Sequence, residues 1–439
     1  MSEPIVTKTP PRKGRPLGVL AAVAVLAAIA GGVWFIVAGG SGVVPSPASM
    51  VGEPVRAVTP AGDRVYLMTS QWRTFRSRTN RSGTSYSRLF VHVWAFDPLS
   101  AKPVWRSRVA DERGGSNMGR KILGVQGGVL WLLDGKSLVG LSPKDGSRVA
   151  DAATLEAANP ALKGVVPAEE QYFRFDPQGL SFTAADGRDW RMTGQGSASA
   201  PDGPRLDIDA QRAPARPGIA MPADTAGGNG SWAFYTRGLA IGGTMWLGLL
   251  AEPEVESFRK AGAIGGVDPE RYPRARVWSA RIGKTQTFFG PRPTFADFKP
   301  LPEGPEFLTA GLLEDNRCCH DTPILLFNPD SVLVLHKDRL GEGGRFRLTR
   351  VSGPLGKPLW TVDLPATALE AVMPGERSVA IYGRRDEPPL FGREKRPESV
   401  GQLMAIDYAT GAINTYGFRI KATEPQDIPP SSTEAAKVD

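Results

Sequence analysis

The two cysteines of the chain, Cys318 and Cys319, are adjacent and are followed by His320 and Asp321. In an oxidising compartment such a pair can close a vicinal disulfide, whose small ring distorts the intervening peptide. The alternative is a loop disulfide, or two thiols, that serve only local rigidity. A metal site would add His320 and a carboxylate from Asp315 or Asp321. Adjacent cysteines fit one tetrahedral ion poorly and the Cys-x-x-Cys spacing is absent, so we predict no metal site.

A second distinctive segment, residues 72–90, combines arginine with aromatic side chains and contains no acid. Guanidinium groups bind phosphate-bearing headgroups, anionic glycans and acidic protein surfaces. The alternative is a solvated insertion whose arginines keep a sheet edge from aggregating. We expect a long loop or a hairpin extension here. The candidate partner-binding residues are Arg73, Arg76, Arg78, Arg81 and Arg88.

The remaining motifs give no catalytic site. His92 and His336 lie within strand-like runs and are predicted to be satisfied strand residues rather than ligands or bases. With three histidines far apart in the sequence, a histidine-rich active site is excluded. The phosphate-binding loop, the calcium loop, the serine-hydrolase elbow and the dinucleotide fingerprint all fail on their required positions. We predict no catalytic residue.

Composition sets the broad class. The 439 residues are 41% hydrophobic and 22% charged, which is enough for a large core and excludes a disordered protein. The 51 glycines and 39 prolines favour short elements joined by tight turns. The formal charge is +8, but the first 40 residues hold four basic residues and one acid, or +3, which leaves +5. That excess is too small for a nucleic-acid partner.

The N-terminal region contains a predicted membrane-targeting segment. The run from Leu17 to Ala38 has no charge over 22 residues, which as a helix spans a bilayer core. Basic residues precede it and none follows until Arg56, so the positive-inside rule keeps the N-terminus cytoplasmic. A cleaved signal peptide is the alternative, but its apolar run is usually shorter. We therefore predict an anchor in the inner membrane.

The Ala, Gly, Arg and Pro bias resembles that of high-GC bacterial genomes, so the exported compartment is predicted to be the periplasm. The predicted divisions are a cytoplasmic basic tail (1–16), a transmembrane signal-anchor helix (17–38), a flexible tether (39–52), an exported folded region (53–421) and a disordered tail (422–439).

The folded region reads as short strands and hairpins whose turns are self-similar. In each copy a strand ends in Asp or Ser, and a small residue follows four positions later. The side chain of the Asp or Ser caps the turn, the small residue takes a positive φ, and twice a Trp eight positions on is expected to pack back on the sheet. The copies are 94–105, 141–146, 351–360 and 405–411. Short helices are expected at 151–158, 252–260 and 366–373.

The best copy, Met404 to Gly411 (MAIDYATG), resembles the pyrroloquinoline-quinone-like β-propeller repeat, as does Trp94 to Trp105. The resemblance implies an all-β fold, a β-propeller of six to eight blades behind the N-terminal transmembrane helix. A strand near Glu53 to Pro60 is expected to complete a blade with Gln402 to Phe418. A β-sandwich or a two-domain β structure is the alternative.

The repeat names an architecture rather than an activity. We expect a membrane-anchored periplasmic binding or scaffold module without a cofactor, which recognises a protein or envelope component through rim loops. The alternative is an exported quinone-dependent dehydrogenase, since some quinoprotein alcohol dehydrogenases stack a vicinal disulfide on their cofactor. Under that alternative, Cys318 and Cys319 would lie beside pyrroloquinoline quinone and calcium. Those enzymes are generally much longer, and their calcium ligands find no match in this chain.

Overall fold

The computed structural model is built almost wholly of antiparallel β-sheet. It describes residues 46–76, 85–176, 179–192, 198–199, 238–241, 245–261, 273–287, 290–309, 324–328, 331–341, 343–353, 355–388 and 397–419. Across these ranges, no helix has the length and the apolar character needed to cross a membrane. The predicted anchor (17–38) and the predicted disordered tail (422–439) lie outside them.

The strands follow one another as six antiparallel meanders, here called the first to sixth sheets, within the described residues. The first contains β1 (Ser49–Met50), β2 (Val55–Thr59), β3 (Gly62–Arg76), β4 (Ser85–Phe96) and β5 (Pro103–Arg113). The second contains β6 (Arg120–Gln126), β7 (Val129–Asp134), β8 (Leu138–Leu141) and β9 (Arg148–Asp151). The third contains β10 (Phe173–Asp176), β11 (Gly179–Thr183), β12 (Asp189–Met192) and β13 (Ala198–Ser199).

The fourth sheet contains β14 (Gly238–Ile241), β15 (Met245–Leu250), β16 (Arg274–Thr287) and β17 (Gly290–Pro300). The fifth contains β18 (Phe307–Leu308), β19 (Ile324–Asn328), β20 (Ser331–Lys337), β21 (Phe346–Ser352) and β22 (Pro358–Asp363). A short pairing of β16 with β18 joins these two sheets. The sixth contains β23 (Ala368–Pro374), β24 (Ser378–Glu387), β25 (Glu398–Asp407) and β26 (Ile413–Gly417).

Two of the three predicted helices form. They are α1 (Ala152–Ala158), whose first turn is capped by the Asp151 carboxylate, and α2 (Glu252–Ala261). Two single 3-10 turns lie at Pro160–Leu162 and Glu170–Tyr172. The predicted helix at 366–373 is wrong, because this segment is strand β23 and pairs with β24. Pairing with a neighbouring buried strand outweighs the helix propensity of its Ala, Leu, Glu and Met residues.

Apolar side chains from neighbouring sheets interlock. Shared buried clusters join the first sheet to the second, the second to the third, the fourth to the fifth and the fifth to the sixth. A further cluster joins the sixth sheet back to the first, with Leu67 and Trp94 against Tyr382 and Phe418. Among the described residues no such cluster links the third sheet to the fourth, but the order of the other contacts is consistent with the predicted β-propeller. The six described sheets fall within the predicted range of blades.

The prediction that a strand near Glu53 to Pro60 completes the last blade is wrong. Strand β2 does not join Gln402–Phe418 but pairs with β3 in the first sheet, from Val55 opposite Tyr66 to Thr59 opposite Gly62. Only Pro60 and Ala61 separate the two strands, so a local hairpin costs far less loop entropy than pairing with the far end of the chain.

In all four repeated turns the small residue takes the predicted positive φ, from +53° to +77°. In the second copy the carboxylate of Asp145, rather than the hydroxyl of Ser142, accepts from a turn amide, that of Ser147 at 3.0 Å. In the last copy the Asp407 carboxylate accepts hydrogen bonds from the amide and hydroxyl of Thr410, both at 2.9 Å. The amide of Gly411 donates to the carbonyl of Asp407 at 2.8 Å, with φ +72° at the glycine. In the first copy Ala101 holds the same conformation, with φ +53°.

The tryptophans of the repeat join one sheet to the next. The indole of Trp105, from the first sheet, donates to the Pro143 carbonyl of the second at 2.9 Å, and a Cβ added at Gly146 would lie 2.6 Å from its ring. The indole of Trp360, from the fifth sheet, donates to the Tyr408 carbonyl of the sixth at 2.8 Å. The expected packing on its own sheet is seen for Trp105, whose ring lies 6.0 Å from that of Tyr66. The sequence did not predict that each indole would also reach a backbone acceptor in the turn of the next sheet.

Candidate functional site

A long hairpin projects from the first sheet. Strands β3 and β4 have 15 and 12 residues and stay paired from Val65 opposite Phe96 to Arg76 opposite Ser85. Residues 72–76 and 85–90 of the predicted segment are therefore paired strands of a hairpin extension, and residues 77–84 lie outside the described residues. The pairing of β3 with β4 has no register shift. Side chains two positions apart therefore stay on the same face along the described strands.

Alternation and register collect arginines on one face of this hairpin. Arg73 on β3 lies opposite Arg88 on β4, and Arg88 lies opposite Arg113 on β5. Two further arginines of β5 oppose His92 and Trp94 on the same face. The resulting set, called the arginine face below, is Arg73, Arg88, Arg106, Arg108 and Arg113.

Aromatic rings support the arginine face. The guanidinium of Arg73 lies 4.9 Å from the ring centre of Phe90, and that of Arg113 lies 4.7 Å from Tyr86. Arg106 lies 5.1 Å from the ring centre of Trp94. A guanidinium held against an aromatic face keeps its charge and its donors while losing much of its freedom. The face is therefore preorganised for an anionic ligand.

An acid lies among the residues of the arginine face. The Asp111 carboxylate contacts Arg88 at 2.7 Å and Arg108 at 3.7 Å. The register places five arginines and this one aspartate on the same face. Burial and the neighbouring Arg106 and Arg108 lower the pKa of Arg73.

His92 lies at the centre of the arginine face and stays neutral. Burial, followed by the charges of Arg106, Arg108 and Arg73, lowers its pKa to about 3. Its ring lies 6.4 Å from that of Trp94. The imidazole therefore adds no charge to the face at neutral pH.

The hairpin of the sixth sheet offers a contrast. Here the charges pair internally: Arg384 pairs with Glu370, and Arg385 pairs with Glu387. Arg419 contacts Glu387 at 2.5 Å and Glu398 at 3.3 Å. The arginines described on this hairpin therefore each pair with an acid of the same sheet or of the residues that follow it.

The predicted site residues divide into two groups. Arg73 and Arg88 are brought together on the arginine face, whereas the side chains of Arg76, Arg78 and Arg81 lie outside the described residues. Cys318, Cys319, His320 and Asp321 also lie outside them. Among the residues that are described, no three His, Cys, Asp or Glu side chains cluster in a way that could hold a metal ion.

His336 is a satisfied strand residue, as predicted. It is buried, its Nδ1 lies 3.1 Å from the Lys337 carbonyl, and its Nε2 lies 2.8 Å from the Thr349 hydroxyl. Because a carbonyl can only accept, Nδ1 carries the proton and Nε2 accepts from the threonine. Burial lowers the pKa of this histidine, so it remains neutral.

Arg106, Arg108 and Arg113 were missed from the sequence because they lie on the strand after the predicted segment. The signal was present in β5, where Arg106 and Arg108 alternate as on one face of a strand, but it could be used only with the register to β4.

No family model matches the sequence, and no curated protein matches it. The chain is similar in structure to a quinohemoprotein alcohol dehydrogenase from Comamonas testosteroni, with 10% identity, a TM-score of 0.26, and coverage of 85% of this chain and 68% of that one. It is also similar to BamB from Moraxella catarrhalis, with 11% identity, a TM-score of 0.17, and coverage of 87% of this chain and 99% of that one. These similarities concern β architecture, and no activity is transferred from them.

Proposed function

We propose that this protein is a membrane-anchored periplasmic β-propeller that acts as a non-catalytic binding or scaffold module. Its contact surface is the arginine face, which binds an anionic component of the envelope. The observation that carries this proposal is the set of five arginines that the strand register places on one face of the first sheet, two of which contact Asp111. The anchor is the uncharged run from Leu17 to Ala38.

The chemistry of the arginine face supports binding rather than catalysis. Guanidinium groups remain charged at any physiological pH and present paired donors that match carboxylate and phosphate oxygens. They neither exchange protons nor act as nucleophiles near neutral pH. The neighbouring His92, with its pKa lowered to about 3, is also a poor proton carrier there.

The first test is crosslinking of the full chain in intact membranes. The variant Arg73→Gln/Arg108→Gln/Arg113→Gln removes three charges and leaves the pair of Arg88 and Asp111 intact. The matched control, Arg274→Gln/Arg276→Gln/Arg281→Gln, removes the same charge from the fourth sheet. We expect the first variant to lose its crosslinked partner and the control to keep it. Equal crosslinking in both would refute the binding surface.

The second test concerns the proposed membrane anchor and the export of the folded region. An alkaline phosphatase fused after Asp439 should be active, and alkaline carbonate should leave the chain in the membrane pellet. An inactive fusion, or a chain released by carbonate, would refute the exported and anchored topology.

An exported quinone-dependent dehydrogenase remains the competing proposal, and it depends on Cys318 and Cys319. The described residues hold no cluster that would ligate calcium beside a quinone, so no step through that cofactor is derived. Titration of the full chain with pyrroloquinoline quinone and calcium separates the two proposals. Saturable binding that is lost in Cys318→Ser would favour the dehydrogenase.

A further inference from the structure

The described chain begins beside the arginine face. The Ser46 hydroxyl accepts a hydrogen bond from the Trp72 amide at 3.2 Å, and the Ser46 amide donates to the Trp72 carbonyl at 3.2 Å. The Gln71 side chain donates to the Ser46 carbonyl at 2.7 Å. Ser49 and Met50 then pair with β3. Ser46 is thereby fixed next to Arg73, on the projecting hairpin.

Few residues separate this point from the proposed anchor. From Ala38 to Ser46 there are eight residue steps, which even fully extended reach no more than about 29 Å. The hairpin therefore stays within that distance of the bilayer surface, while the opposite end of the sheet lies farther along the strands. Tethering at this range keeps lipid headgroups at a high effective concentration around the arginine face.

We propose that the arginine face docks on anionic phospholipid headgroups of the membrane that holds the chain's own anchor. This inference rests on the proposed function, because it requires the anchor, and it names the anionic component. Headgroup phosphates accept the paired donors of guanidinium groups, and a cluster of basic residues close to a bilayer binds anionic lipid.

Position distinguishes lipid from an acidic protein partner. A protein partner could bind any exposed face of the molecule. The arginine face instead lies on the sheet whose strand β3 holds Ser46, only eight residues after the proposed anchor. The contact depends on charge, so it should weaken where salt shortens the Debye length to a few ångströms.

The test places a fluorescent label on the full chain in lipid nanodiscs. In a Cys318→Ser/Cys319→Ser background, the label is attached through Ser87→Cys on the hairpin or through Lys102→Cys at the other end of the first sheet. Energy transfer to a headgroup-labelled lipid is compared in neutral phosphatidylcholine discs and in discs with about a third of phosphatidylglycerol, a content that gives a strongly negative surface.

We expect transfer at the Ser87 position to rise at least about threefold in the anionic discs and to fall back in salt of about 1 M. The variant Arg73→Gln/Arg108→Gln/Arg113→Gln should abolish the rise. The charge-preserving variant Arg73→Lys/Arg108→Lys/Arg113→Lys should retain most of it, as should the fourth-sheet control. The Lys102 position should not respond.

Each failure has its own meaning. Equal transfer in neutral and anionic discs, or an equal response of both positions, would overturn the docking. If lipid has no effect but a poly-glutamate peptide binds and is lost in the triple Gln variant, the partner is an acidic protein surface; the inference is then wrong and the proposed function stands. If the chain fails to enter the discs at all, the anchor and the proposed function fail together.

Discussion

Arg56 in the first sheet donates a 2.6 Å hydrogen bond to the carbonyl of Ser378 in the sixth, across 322 positions of sequence. The same guanidinium pairs with Asp63 on β3 at 2.6 Å and donates to the Met373 carbonyl at 3.1 Å. One nearly buried arginine therefore contributes several of the side-chain contacts that join the first and last sheets in place of a shared strand.

This junction differs from the others described. Thr415 stands eight positions after Asp407, where the first and fifth sheets carry a docking tryptophan. The Pro98 carbonyl, which corresponds to the acceptors of Trp105 and Trp360, accepts instead from the Ser378 hydroxyl at 2.7 Å. Asn414 donates to the neighbouring Leu99 carbonyl at 2.8 Å.

Arg56→Met should lower the free energy of unfolding by about 3 kcal/mol, since it leaves buried acceptors and a carboxylate without their cation. Urea unfolding followed by tryptophan fluorescence measures the loss. The control is Arg281→Met, whose ion pair with Asp297 is largely exposed, and its effect should stay within about 1 kcal/mol. Similar losses in the two variants would show that Arg56 does not hold the junction.

Gly146→Ala should destabilise the protein by more than about 2 kcal/mol, because the left-handed conformation and a clash with the Trp105 ring act together. Gly187 provides the matched control: its φ is +80°, against +74° at Gly146, but an added Cβ would meet nothing within 4 Å. Gly187→Ala should cost only about 1 kcal/mol. Thermal unfolding of both variants decides whether the ring contact matters.

Trp105→Phe keeps an aromatic ring against Gly146 but removes the donor to the Pro143 carbonyl. An orphaned buried acceptor costs about 1–3 kcal/mol, so stability should fall by that amount while the circular dichroism spectrum stays unchanged. Trp72→Phe, at a half-exposed position, serves as the control and should be close to neutral. A neutral Trp105→Phe variant would mean that water replaces the indole.

The pKa of about 3 at His92 predicts a loss of stability in acid. The unfolded chain binds a proton at the ordinary pKa of 6.5, well before the folded protein does. Stability from this group is therefore complete above pH 6.5 and is lost as the pH falls from 6.5 towards 3. His92→Gln should flatten that part of the stability profile. An imidazole resonance of His92 that titrates near pH 6.5 would contradict the shift.

Local features of the fold were predictable from the sequence. Strands such as β7 and β20 stand out as apolar runs between turn residues. The turn at Asp407–Gly411 is predicted by an Asp, a Thr and a Gly that interact within four positions of one another. Such features depend on neighbours in the chain, which a sequence shows directly.

Relations between sheets were not predictable in the same way. The spacing of eight residues from Asp97 places Trp105 on the strand that follows the turn. It does not show that the indole contacts Gly146 in the next sheet. The arginine face was half visible for a similar reason: Arg73 and Arg88 share one hairpin, while Arg108 joins them only through the register that sets it opposite His92. The pairing of β2 was predicted wrongly because the sequence does not show which sheet edge a strand will join. Only the two-residue turn at Pro60–Ala61 favours the pairing with β3 in the first sheet.

The local pairing of β2 with β3 also bears on how such a chain can be exported. A protein threaded through a membrane emerges in order, and a first strand reserved for the last sheet would wait unpaired until synthesis was almost complete. Each described sheet is assembled from consecutive stretches of the chain, so under the proposed export it would be completed as it leaves the translocation channel, with little time for bare edges to aggregate. The contacts between the first and the sixth sheet, that of Arg56 with Ser378 among them, need residues from the far end of the chain, so a truncated chain would stay open there.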